Sequence, residues 1–222
     1  MFIYSCSVQS QKVITHNYES VDLGLHSGTQ WAIMNVGAES VTGKGNLFAW
    51  GETTTTSIFD EKNYKFLEIK LNANGIYDYF VTKYYFDDEN EESEYNGIVD
   101  NKFVLDPEDD VATIQWGKEW RMPTANDWKE LLDGCIWQWC EKYNGTFTSG
   151  YIGKSKTNGH TIFLPITTKN SGFYWSSTLN DVPFNSSDNV GEAIGLYISE
   201  EELNVYYHNR WQGFAVRAVR RL

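Results

Sequence analysis

Two stretches of the chain read as helices, one from the spacing of its apolar residues and one from its start signals. In WRMPTANDWKELL, residues 120–132, Trp128, Leu131 and Leu132 follow at i, i+3 and i+4 and define one buried face. Pro123 holds Met122 extended. Thr124 is placed to cap the helix, with Asp127 three residues on as an acidic capping box, and Gly134 is expected to stop it in the left-handed region. In LDPEDDVATIQWG, from residue 105, Asp106 reads as a cap with Pro107 in the first turn and Glu108, Asp109 and Asp110 against the helix dipole.

The remaining pattern has a period near two and is broken by turns. VDLGLHSGTQWAIMNV (21–36) reads as two short strands about a Ser27-Gly28 turn, and Leu47–Trp50 as another strand. After the second helix, strands are expected at 136–140, 150–153, 161–164, 173–177, 193–199, 203–208 and 214–219. Ile194, Leu196 and Ile198 share one face. Phe214, Val216 and Ala218 share another, with Arg217 opposed. Residues 52–104 are polar, aromatic and irregular and read as a loop-rich insertion within a single domain spanning 21–222, behind a tail at 1–20. Helices early and antiparallel strands late make an α+β layout.

Composition narrows the function. A net charge of −12 argues against nucleic acid, which is bound through clustered Lys and Arg. Six of those acids fall in DDENEESE (87–94), which lacks the alternation and glycine of a calcium loop and reads as solvated. No apolar run approaches the roughly 18 residues of a membrane span. Three cysteines make no disulfide framework, and Cys135 and Cys140 have no ligand partners at metal-site spacing. TSGYIGKS (148–155) has Thr148 where a phosphate loop needs glycine, and His16, His26, His160 and His208 are scattered. No cofactor or catalytic group is expected. The start, MFIYSCSVQSQ, is similar to the end of a signal peptide, or to a lipoprotein box with Cys6 as lipid anchor, so the expected location is outside the cell. A cytosolic tail is the alternative.

Taken in order, VDLGLHSGTQWAIMNVGA, FAWGET, LDPEDDVATIQWGKEWRMPTANDWKELLDGCIWQW, TIFLP, FYWSST and GFAVRAV resemble the bacterial major paralogous domain family, often abbreviated FISUMP. RMPTANDWKELL and the later GFAVRAV are also similar to formylglycine-generating-type proteins, whose fold is C-type-lectin-like. That likeness implies two helices with a twisted antiparallel sheet and adjacent chain ends, the strand near 21–25 lying with 214–219. It implies burial of Trp31, Trp50, Trp120, Trp128, Leu131, Trp175 and Phe214, and an inner carboxylate for Arg121. Family members often carry Cys where this chain has Met34, so a bridge to Cys135 is not available; nor does any cysteine follow Cys140 to serve oxidase chemistry.

The resemblance implies a non-catalytic binding module at the cell surface, its ligand a glycan or a protein. The alternatives are a structural or fimbria-associated subunit and an enzyme related to the oxidases. Ligand contacts are expected between YWSST and GFAVR, from Asn180, Asp181, Phe184, Tyr206, Tyr207, His208, Arg210 and Trp211. Those residue types give contact area and adaptable hydrogen bonds, and their rings stack on sugars. Alternation in NVYYHNRW lets only one of Tyr206 and Tyr207 face the core.

Overall fold

The structure, a computed structural model, describes residues 18–86, 95–180 and 191–221. Among them two α-helices accompany thirteen strands in four small sheets, a mixed α+β architecture. Strands β1 (Ser20–Asp22) and β2 (Gln30–Ala32) form a hairpin. β13 (Val219–Arg220) pairs antiparallel with both β2 and β6 (Trp120–Arg121), in the order β1-β2-β13-β6. The beginning and end of the described chain therefore share a sheet. β2, not the segment 21–25, is the direct partner of β13, and Ser20 reaches the end through a hydroxyl that accepts from Arg220 Nε at 3.0 Å.

β7 (Cys135–Cys140), β8 (Gly150–Ser155) and β9 (Thr161–Pro165) form an antiparallel meander. A second meander joins β10 (Ser171–Leu179), β11 (Glu192–Ser199) and β12 (Leu203–Asn209). The strand expected over 214–219 is split. Phe214 and Ala215 make isolated bridges to Phe48 and Tyr174, and only the last residues join the terminal sheet.

The insertion is more ordered than its polarity suggests. β3 (Leu67–Leu71) pairs antiparallel with β4 (Tyr77–Tyr85), and β4 pairs parallel with β5 (Tyr95–Val99), so the strands are not antiparallel throughout. Phe66, Leu67, Val81, Tyr84 and Tyr85 pack into the same apolar cluster as Trp50, Trp120, Trp175 and Phe214, which joins the insertion to the domain core.

α1 (Val111–Trp116) starts later than its acidic run suggests. Asp110, not Asp106, is the cap; its carboxylate accepts from Thr113 N–H at 3.0 Å and Met122 N–H at 2.7 Å. Asp106 closes a turn before the helix by accepting from Asp109 N–H. α2 (Ala125–Gly134) is capped as expected by the Thr124–Asp127 box, and Arg121 makes a two-pronged ion pair with Asp127 at 2.7 and 3.1 Å. Burial alone would raise the Asp127 carboxyl, but the bonds from Arg121 and Thr124 hold it below its usual range. Gly134 does not adopt the left-handed conformation; the chain runs directly into β7 through an extended Cys135. A Cβ there would lie 2.5 Å from Leu25 Cδ2, so a larger residue would displace the Leu25 side chain.

α2 lies on one face of the β10–β12 sheet, with Trp128 and Leu131 packed in one cluster with Tyr174, Leu196 and Ile198. All seven core residues expected from the sequence are buried. Each large apolar side chain so removed from water contributes about 1.5–3 kcal/mol before ordering costs.

Candidate binding surface

Where α2 passes over the outer strand β12, a groove of about 460 Å³ opens. Leu132, Ile194 and Val205 supply apolar lining. Asn126, Lys129 and Asp133, at i, i+3 and i+7 on the exposed side of α2, lie along it with Asn204. Tyr206 and Tyr207 complete the lining and remain 41% and 44% exposed. Cross-strand register explains why both rings stay in water. Tyr207 pairs with Ile194 and shares the face covered by α2, but stands at the strand edge beyond the helix. Tyr206 pairs with Gly195 on the opposite face, against Tyr197, and its hydroxyl donates to Glu202.

The same strand then turns inward. His208 pairs with Ala193, and its ring is enclosed edge-on by Phe173, Trp175 and Phe214. Burial among these rings pushes its pKa down to about 4, so it is neutral at physiological pH. Arg210 is 1% exposed. Its guanidinium donates to Tyr64 Oη at 2.9 Å and to the carbonyls of Lys83 and Tyr84 at 3.0 and 3.2 Å, and it lies over the Trp50 ring. Arg210 therefore joins β12 to the insertion and does not face a ligand; a buried guanidinium requires such a set of acceptors. Trp211 is half-buried against the same core.

Asn180 is also interior, fully buried, with its backbone N–H and Nδ2 donating to Glu192. Asp181 and Phe184 lie outside the described residues. Of the residues expected to touch ligand, Tyr206 and Tyr207 line the groove, while Asn180 and Arg210 are withdrawn into the protein. The contribution of α2 was not anticipated, because its capped sequence reads as scaffold. The signal was available in the polar spacing of Asn126, Lys129 and Asp133 on its outer side.

The acidic turn before α1 brings carboxylates of Asp106, Glu108 and Asp109 within 4.8 Å of one another. Lysines already occupy that site. Lys83 contacts all three at 2.7, 3.2 and 2.6 Å, Lys65 reaches Asp109 at 2.6 Å, and Lys102 reaches Asp106 at 2.6 Å. The bonds from Lys102 and Lys83 hold the Asp106 carboxyl below its usual range. The cluster fastens the insertion to the domain and offers no vacant ligand set. Cys135 and Cys140 are free thiols, and burial pushes Cys135 up to about 11, far from a reactive thiolate. No helix is long and apolar enough to cross a membrane among the described residues. Compared with protein-family models, curated proteins and solved structures, the chain matches none.

Proposed function

We propose that this chain is a non-catalytic recognition module of C-type-lectin-like fold and FISUMP type, exported to the cell surface or beyond, that captures a glycan or protein ligand in the groove between α2 and β12. The observation that carries the reading is the exposed Tyr207 over an apolar groove with a mixed-charge rim, with the exposed Tyr206 on the other face of the same edge strand. Solvent-exposed aromatic rings over a shallow apolar floor favour association with another molecule, and rigid tyrosines do so at low entropic cost. Support for the fold comes from the capped α2 on a meander sheet and from the shared sheet of the chain's ends. The parallel pair β4/β5 lies in the insertion, outside the motifs that carry the resemblance.

The test is an array of glycans and extracellular proteins probed with the intact chain, with Tyr207→Ser and with Val205→Glu. The proposal expects at least one ligand whose binding falls about tenfold or more in both variants, their melting temperatures being retained. Ligands that bind both variants as well as the parent chain would overturn it.

A further inference from the structure

We infer that the ligand of this groove is an extended polypeptide segment, which adds to the free edge of β12 as a fourth strand of the β10–β11–β12 sheet. This rests on the α2–β12 groove being the binding surface and specifies what fills it.

The backbone carries the inference. Ser199 and Glu202 exchange both hydrogen bonds at the β11–β12 turn, and at the far end Arg210 N–H donates to Gly191 O at 2.7 Å. In an antiparallel ladder the bonded residues alternate. Even-numbered residues of β12 therefore bond to β11, and the N–H and C=O groups of Leu203, Val205 and Tyr207 point away from the sheet. None of the described residues pairs with that edge as a strand. At Val205 the N–H is met by the neighbouring Asn204 side chain at 2.9 Å, a local substitute for a strand partner. The opposite edge of the sheet is closed, since β10 bonds to Phe103, Leu105 and Ala215.

Exposed edges are ordinarily blunted by charge, proline or bulges. The edge strand β3 has Glu68 and Lys70. β12, LNVYYHN, has no proline or acidic or basic residue apart from the neutral His208, and its register with β11 is unbroken. A strand laid along it would place alternate side chains in the groove, against Leu132 and Val205, and the others beside Tyr206. The turn at the Leu203 end carries Glu200, Glu201 and Glu202, so the added segment should be basic at that end. The partner is thus a protein segment with apolar residues at every second position and lysine or arginine at one end. A sugar would use the tyrosine rings, but its hydroxyls lack the regular spacing that matches a strand's row of backbone donors and acceptors.

The test pans random short peptides displayed on phage against the full chain, with a glycan array run in parallel. Selected peptides should share the alternating apolar pattern with a basic end. They should bind Tyr207→Pro, which lacks both the ring and the outward N–H, about tenfold or more weakly than Tyr207→Thr, which lacks the ring but keeps the N–H. If the proline variant does not fold, amide exchange on the parent decides: bound peptide should slow Leu203 and Tyr207. Peptides that bind the proline variant equally, or leave those amides fast, overturn the strand inference, as does a groove-dependent glycan with no peptide selected; the groove reading survives each of these. Binding of neither class removes both.

Discussion

The two halves of β12 and its continuation are both rich in aromatic rings and have opposite fates. Leu203–Tyr207 presents its backbone edge and two tyrosine rings to water. His208–Trp211 delivers an imidazole, a guanidinium and an indole to the interior. The difference is not hydrophobicity, since arginine is the more deeply buried of the polar ends. It is what stands opposite. His208 finds three aromatic rings and Arg210 finds Tyr64 and two carbonyls of the insertion, whereas Tyr207 meets only the margin of α2. The buried guanidinium is tolerated because its acceptors are in place, the imidazole is buried in its neutral form, and an aromatic ring stays exposed when nothing covers it.

The strongest way to break this contrast is Arg210→Ala. It leaves a cavity and unpaired acceptors between β12 and the insertion, and the expected loss is about 3–5 kcal/mol in chemical denaturation, with the β3–β5 sheet loosening first. A loss within experimental error would show that Arg210 does not hold the two parts together.

His208→Phe sharpens the contrast in a different way. The folded pKa of about 4 lies below the ordinary value of about 6.5, so the unfolded chain takes up a proton first as pH falls. Stability from this group is fully present above about 6.5 and is lost as pH drops toward 4. The phenylalanine variant should lose less stability than the parent between pH 6.5 and 5, before most carboxylates titrate. Identical pH profiles would mean that His208 is not enclosed.

Tyr207→Ser should have the smallest effect on folding, within about 0.5 kcal/mol, because the ring is a surface ring. A loss of 2 kcal/mol or more, on the order of a core deletion, would put Tyr207 with Arg210.

Much of the scaffold was legible because its signals are local. The Thr124–Asp127 box, the alternation in 193–199 and the strands of both meanders each lie within a few residues of chain. α1 was harder, as Asp106, Asp109 and Asp110 are chemically equal caps, and only the lysines arriving from the insertion and at Lys102 decide which one remains for the helix. The insertion strands were hidden by polar and charged residues on an exposed sheet, whose few buried positions follow no clear alternation. Arg210 could not be assigned to the core from sequence, because its acceptors lie 126 to 146 residues earlier. The tyrosine pair was legible, since alternation forces one ring out; the other is exposed because β12 is the edge of its sheet, which only the topology reveals.

The central claim is that β12 offers a free, ligand-ready edge up to Tyr207 and becomes core beyond it. Residue-resolved amide exchange of the free chain tests it most directly. The N–H groups of Tyr206, His208 and Arg210, bonded to β11, should exchange slowly, while those of Leu203 and Tyr207 exchange as fast as an exposed loop. Protection of Tyr207 equal to that of Tyr206 and His208 would mean that the edge is already covered, and would contradict the account.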